Sequence, residues 1–219
     1  MRNFTMDYET IIFILEIIGT VAFASSGALV GIRKNMDIFG VLVLGITTAV
    51  GGGCIRDLIL GITPPKMFHN FAYVGAAIAT SCLLFLLIYV KKKLLESRFL
   101  EIYERAMNTF DAIGLGIFTI TGIRTAIAVF ERPNLFLLIF VGVVTGIGGG
   151  MLRDIMSGST PFVFVKHVYA CASLAGAVLY ILLYNRLSEA AAMVISAATV
   201  ILIRLLAAHY RWNLPRIQK

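Results

Sequence analysis

Long apolar runs separated by short polar segments make up almost the whole of the 219-residue chain. Each run is long enough, at about 1.5 Å per helical residue, to cross the roughly 30 Å of hydrocarbon in a bilayer. The pattern therefore predicts an all-α integral membrane protein with seven transmembrane helices. Their predicted bounds are Thr10–Gly31, Ile38–Ile62, Met67–Val90, Met107–Phe130, Asn134–Ser157, Phe162–Tyr184 and Glu189–His209.

A seven-residue motif occurs twice and reveals an internal repeat. Gly51–Asp57 has the sequence Gly-Gly-Gly-Cys-Ile-Arg-Asp, and Gly148–Asp154 has the sequence Gly-Gly-Gly-Met-Leu-Arg-Asp. Residues upstream of the motif align as well: Glu16, Gly19, Phe23, Ser26 and Gly27 match Asp111, Gly114, Phe118, Thr121 and Gly122. Helices one to three (about 10–90) thus repeat as helices four to six (about 107–184), and one helix (about 189–209) is extra. Because three is odd, the second copy enters from the opposite side, which predicts an inverted repeat.

The loop charges predict the orientation of the chain, since lysine and arginine concentrate in cytoplasmic loops. Most basic loop residues follow the first, third, fifth and seventh helices, namely Arg33, Lys34, Lys91, Lys92, Lys93, Arg98, Arg105, Lys166, Arg211, Arg216 and Lys219. That side is predicted to be cytoplasmic, which places the N-terminus outside and the C-terminus inside a cell (inner) membrane. The net charge of +7 then lies at the membrane surface, so lipid is an expected partner and nucleic acid is not.

The composition changes this picture little. Hydrophobic residues make up 59% of the chain and charged residues 14%, whereas a soluble domain holds about 25% charged residues. The whole chain, 1–219, is therefore expected to form a single transmembrane domain. The three cysteines and three histidines are scattered without metal-ligand spacing. No metal, cofactor or enzymatic activity is predicted.

The triple glycines Gly51, Gly52, Gly53 and Gly148, Gly149, Gly150 fall in the middle of helices two and five. Glycine costs about 1 kcal/mol in a helix interior relative to alanine, so three in a row predict a break or kink. Carbonyls freed at that depth need protein or water, which favours a path for cations lined by the kinks. Small residues also let two helices approach closely, and the sequence leaves this alternative open.

Each triple glycine is followed by an arginine and an aspartate inside the membrane. A charge at the centre of a span costs about 2.5–3.5 kcal/mol on insertion scales, so each needs a partner or water. Because sequence neighbours do not face each other on a helix, we predict pairing across the repeat, of Arg56 with Asp154 and of Arg153 with Asp57. These residues either brace the two halves of the protein against each other or form part of the ion path, and the sequence favours neither role.

Further polar side chains lie within the predicted spans. Glu16 and Asp111 are intramembrane acids at equivalent positions of helices one and four, and Ser26 and Thr121 supply equivalent hydroxyls to the predicted path. Hydroxyls of this kind also bond to carbonyls of their own helix, which is an equally good interpretation.

Two arginines have no counterpart in the other repeat. Arg124 lies in the second half of helix four, where Leu29 is its counterpart. We predict that it is a gate or an anchor for an anionic group, with extension to the membrane surface as the alternative. Arg204 is near the end of helix seven, and extension to the surface is the expectation there.

The paired Gly51–Asp57 and Gly148–Asp154 motifs, the Asp111–Gly116 segment and the three-plus-three-plus-one helix order resemble the short prokaryotic branch of the TRIC family, the trimeric intracellular cation channels. The resemblance implies a homotrimer that conducts K⁺ and also Na⁺ through one pore in each protomer. It also implies that Arg124, as a basic residue of helix four, acts near the pore. The chain lacks the Lys-Glu-Val tripeptide and the long basic tail of animal members, so phosphoinositide control is not expected.

A secondary transporter for a small zwitterion such as glycine is the alternative function. Inverted repeats with broken helices near the midplane are typical of alternating access, and some bacterial relatives in this family are discussed as glycine transporters. The sequence does not separate a channel from a transporter.

Overall fold

The computed structural model describes residues 8–95, 99–165 and 168–212. Arg98, Lys166, Arg216 and Lys219, on which the predicted orientation partly rests, lie outside these residues. The described part of the chain is helical throughout, without strands. Its elements are α1 (Tyr8–Arg33), α2 (Ile38–Ile59), a 3₁₀ turn (Lys66–Phe68), α3 (Phe71–Leu95), α4 (Phe99–Val129), α5 (Leu135–Met156), α6 (Phe162–Val165), α7 (Tyr169–Tyr184) and α8 (Glu189–His209).

The prediction of an all-α membrane protein with seven apolar helices is confirmed. Six helices within the described residues are long and apolar enough to cross a membrane, and the remaining one, α7, is apolar but shorter. The long helices are α1 to α5 and α8. Three helices, a similar set of three and one further helix therefore follow one another along the chain.

The third and sixth spans begin later than predicted. The third was expected from Met67, but a 3₁₀ turn precedes α3, whose start is marked by the Asn70 side chain accepting a hydrogen bond from the Ala72 N–H at 3.0 Å. The sixth was expected from Phe162, but α6 is a single turn and α7 starts at Tyr169. Hydropathy did not reveal these interruptions because the residues on both sides of each are apolar.

Equivalent signals in the two repeats set the ends of α2 and α5. The side chains of Asp37 and Asn134 each accept a backbone N–H of the first turn at 2.7 Å, which satisfies a donor that the helix leaves free. At the other end, Gly61 and Gly158 take left-handed conformations, with φ of 72° and 66°. Glycine adopts this conformation without strain. The chain then reverses direction, and the segment that follows contacts the end of the same helix.

The two repeats pack through α1, α2, α4 and α5, which form the centre of the protein. The predicted break at the triple glycines is wrong, because α2 and α5 are continuous helices through both motifs. The glycines instead allow a close crossing. A Cβ on Gly52 would overlap the backbone oxygen of Thr145, and a Cβ on Gly149 would overlap that of Thr48.

Beside this crossing lie two phenylalanines that are equivalent in the repeat. The rings of Phe23 on α1 and Phe118 on α4 are 5.3 Å apart between centroids, and both side chains are buried. Phe23 also packs against Gly149, where its ring atoms lie 3.1–3.2 Å from an ideal Cβ position. Closely packed aromatic side chains therefore lie beside the glycine crossing.

Candidate functional site

The first charged cluster lies at the end of α2. The Arg56 guanidinium contacts the Asp57 carboxylate, with 2.7 Å between Nη2 and Oδ1. The other oxygen of Asp57 accepts the backbone N–H of Lys66 at 2.8 Å, which ties the 3₁₀ turn to the helix end. On α3, the Tyr73 hydroxyl donates a hydrogen bond to the carboxylate of Glu16. Both acids of repeat one are thus held by groups of their own repeat.

These residues border a small cavity, called here the first cavity. Its volume is about 50 Å³, and it is lined by Glu16, Thr20, Ala49, Val50, Gly53, Cys54, Arg56, Asp57, Lys66, Met67, Tyr73 and Phe118. A cavity needs only about 10–15 Å³ on this measure to hold one water, so there is room for several waters or a small solute. Burial lowers the pKa of the Lys66 ammonium, and the nearby Arg56 guanidinium lowers it further.

The second charged cluster is formed by the equivalent residues of repeat two. Arg153 is fully buried and contacts Asp154 at 2.9 Å and Asp111 at 2.6 Å. Arg153 also donates to the hydroxyl of Ser26 on α1, so this cluster connects the repeats. Asp154 accepts the backbone N–H of Phe162 at 2.8 Å, as Asp57 does with the corresponding turn.

Arg204 of α8 joins the second cluster, contrary to the expectation that it extends to the membrane surface. Its side chain is 1% exposed, and its Nη2 lies 4.0 Å from Oδ2 of Asp111. The guanidinium carbon lies 4.5 Å from the ring centroid of Tyr169, which favours the cation over an aromatic face. The charge is therefore compensated inside the protein instead of by water.

The predicted pairing across the repeat is wrong. Arg56 contacts Asp57 and Arg153 contacts Asp154, each within its own dipeptide. Each aspartate turns past its helix end to accept an N–H of the following turn, and the arginine side chain is long enough to reach it there. The rule that neighbours diverge holds for short side chains within a regular helix and not for this arrangement.

The structure places Arg124 at the end of the molecule where α1 begins, away from the glycine crossing. Its Nη2 is 2.7 Å from a carboxylate oxygen of Glu9, and its Nε is 3.7 Å from one of Glu189. The Arg124 side chain is 19% exposed. The residue links the starts of α1 and α8 to the last turns of α4.

A larger cavity, the second cavity, lies at the opposite end of the molecule. Its volume is about 590 Å³, and its lining includes Val30, Arg33, Lys34, Tyr103, Glu104, Met107, Asn108, Asp154, Ser159, Phe162, Ala208 and Arg211. Along α1, Thr20 lines the first cavity and Val30 the second, and the buried Phe23 lies between them. The Phe23–Phe118 contact and the glycine crossing therefore lie between two cavities that each contain charged residues.

The chain is similar in sequence and fold to known membrane proteins. The family model described as glycine transporter matches residues 13–89 and 108–185. The inner membrane protein YadS of Escherichia coli is 34% identical, over 94% of this chain and 95% of its own length. A prokaryotic TRIC channel has a TM-score of 0.83 at 30% identity, over 94% of this chain and all of that one. The TRIC trimeric intracellular cation channel orthologue from Rhodobacter sphaeroides has a TM-score of 0.82 at 32% identity, over 93% of this chain and all of that one.

The chain belongs to the prokaryotic branch of the TRIC family. The shared fold confirms the inverted three-plus-three repeat with one additional helix. Gly52 and Gly149, which the sequence placed on the path, are points of close contact between α2 and α5 in this TRIC protein, and Ser26 bonds to Arg153. The hydroxyl of Thr121, its counterpart, is buried without a hydrogen-bond partner among the described residues.

Sequence reasoning missed several residues of this TRIC protein's site. Tyr73 donates a hydrogen bond to Glu16, and the Tyr169 ring contacts Arg204, the partner of Asp111. The two tyrosines occupy equivalent positions of the repeat. A search for repeated aromatic residues would have found them. Lys66 was assigned only to a loop, and its place in the first cavity depends on the turn after α2, which the sequence did not predict. No cluster of three or more potential metal-ligating side chains occurs in the described residues.

Proposed function

We propose that this protein is a monovalent cation channel of the cell membrane, conducting K⁺ and also Na⁺ through a path inside each protomer. The main support is the pair of cavities at opposite ends of the repeat interface, each containing the aspartate of one triple-glycine motif. The similar solved structures are described as cation channels. A homotrimer with the N-terminus outside and the C-terminus in the cytoplasm is part of the proposal.

The path runs from the first cavity, past the glycine crossing, to the second cavity. Glu16 and Asp57 supply carboxylates at one end and Asp154 at the other, and acidic side chains are suited to cation pathways. Ser26 and Thr121 lie between these ends. Gly51–Gly53 and Gly148–Gly150 form the narrow middle, where the absence of side chains leaves backbone as the nearest wall.

The structure has the features of a closed state. The apolar contact between Phe23 and Phe118 and the direct approach of α2 to α5 form a closely packed barrier between the two cavities. Apolar constrictions exclude water and therefore ions. Conduction thus requires α2 and α5 to separate. Arg124 remains our candidate for gating, acting at the entrance through Glu9 and Glu189 rather than at the middle.

A transporter for a small zwitterion is the second candidate. It is favoured by the description of the matching family model as glycine transporter and by the lining of the first cavity. That cavity presents both carboxylates and basic groups, Glu16 and Asp57 beside Arg56 and Lys66. Such a lining suits a solute with one positive and one negative end. Two cavities separated by a closed centre are also typical of alternating access.

Recordings and flux measurements on one preparation test the two candidates. The purified protein is placed in planar bilayers with K⁺ on both sides, and in liposomes loaded with glycine for exchange against labelled glycine. Unitary K⁺ currents without glycine exchange are expected. Saturable glycine exchange without unitary currents would replace the channel proposal by the transporter. Size determination of the same sample tests the trimer, and a predominant monomer would contradict it.

A further inference from the structure

The two charged clusters are balanced in different ways. Each contains two acids and two bases: Glu16, Asp57, Arg56 and Lys66 in repeat one, and Asp111, Asp154, Arg153 and Arg204 in repeat two. Three members of each set are equivalent in the repeat and the fourth is not. The position that bonds to the aspartate through its backbone is a lysine in repeat one, Lys66, and a phenylalanine in repeat two, Phe162. The second cluster therefore obtains its fourth charge from elsewhere.

The source is α8, the helix that lies outside the repeat. This helix packs against α4 and α7 and brings the buried guanidinium of Arg204 to within 4.0 Å of Asp111. The groups around Asp111 come from four helices. Arg153 of α5, Tyr169 of α7 and Arg204 of α8 face Asp111, and Ser26 of α1 bonds to Arg153. A buried charge that loses its partner is strongly unfavourable, so this balance matters for the ionisation of both acids.

We propose that Arg204 is a positioning residue that keeps Asp111 ionised and bound to Arg153, so that the second cluster is closed while Glu16 remains accessible in the first cavity. Without Arg204, the fully buried carboxylate of Asp111 loses one of the two guanidinium groups that lie within 4.0 Å of it, and Arg153 is left in contact with both Asp111 and Asp154. Loss of a nearby positive charge from a buried carboxylate in a medium of low dielectric constant favours its protonated form. The helix outside the repeat, α8, then makes the charge balance of the two repeats unequal. The inference holds whether the path carries ions or a zwitterion.

Carbodiimide labelling tests this directly, because a hydrophobic carbodiimide reacts with protonated carboxyl groups within membrane proteins. The full-length protein in detergent is labelled at neutral pH, and the modified acids are located by mass spectrometry of its peptides. In Arg204→Leu, the rate of labelling at Asp111 or Asp154 is expected to rise roughly tenfold or more. Arg204→Lys, which keeps the charge, is expected to stay close to the wild type. Arg132→Leu, which removes an exposed arginine, is the matched control.

Glu16 serves as the internal control in every sample. Equal increases at Glu16 and Asp111 in Arg204→Leu would indicate general loosening and would overturn the proposal, as would unchanged labelling at both Asp111 and Asp154. The double variant Arg204→Leu with Asp111→Asn restores the balance of charge. If Arg204→Leu cannot be purified, recovery of this double variant supports the proposal. Failure of the double variant together with failure of Arg204→Lys, which keeps the charge, would show that the shape of the side chain matters and not its charge, and would reject the proposal.

Discussion

Replacement of Gly149 by alanine tests the close crossing of α2 and α5. The new Cβ would overlap the backbone oxygen of Thr48 and lie 3.1 Å from the Phe23 ring. The oxygen belongs to a regular helix and cannot turn away, so the cost falls at the upper end of the roughly 1–3 kcal/mol typical of overpacking. The higher helix propensity of alanine offsets about 1 kcal/mol of this cost. The expected net loss of stability is therefore about 2 kcal/mol.

Gly53 is the matched control, because it lies in the other copy of the same motif, where an added Cβ meets only Arg56 Nη2 at 3.7 Å. Gly53→Ala should keep the gain in helix propensity, up to about 1 kcal/mol. The two variants are compared by reversible unfolding in detergent at equal protein concentration. A difference of about 3 kcal/mol is expected. Equal stability of Gly53→Ala and Gly149→Ala would refute the packing role of the glycines.

Three further predictions concern the charges and the first cavity. Arg153→Gln combined with Asp154→Asn should reduce stability by clearly less than the sum of the single changes, since removal of one partner of a buried pair costs about 3–5 kcal/mol. The stability losses of Arg56→Gln and Asp154→Asn, which are not partners, should add. Unfolding measurements on both double-mutant cycles check this. Arg124→Ala should change open probability yet alter stability by less than about 1 kcal/mol, because partly exposed ion pairs contribute little; wild-type gating in bilayer recordings would count against the gate. A cationic thiol reagent should reduce K⁺ currents by modifying Cys54, which lines the first cavity, and persistence of the block in Cys54→Ser would place the target elsewhere.

Much of the fold follows from the sequence because hydropathy and repetition are properties of whole segments. The apolar runs gave the helices, and the two Gly-Gly-Gly-x-x-Arg-Asp motifs gave the inverted repeat. The starts of α3 and α7 did not follow, because each depends on a local interruption at Asn70 or Val168 within an apolar run. Backbone conformation at single residues is not encoded in hydropathy.

The candidate site could be predicted in composition but not in contacts. The sequence identified Glu16, Asp111 and the Arg-Asp dipeptides as buried charges that need partners. It paired them wrongly because the choice between partners depends on how far Asp57 and Asp154 reach past the helix end. The burial of Arg204 was missed because a position near the end of a span is compatible with both extension to water and an internal partner. Only the packing of α8 on α4 decides between them.

The hydrogen bonds that the backbone N–H groups of Lys66 and Phe162 donate to Asp57 and Asp154 have a mechanical consequence. Each fastens the end of a central helix to the turn that leads into the next helix. A displacement at the end of α2 is therefore transmitted to the start of α3, and one at the end of α5 to the segment before α7. In the proposed opening of the centre, each helix end therefore moves together with its turn, and the bending occurs at the other ends, in the short turns after α1 and before α5.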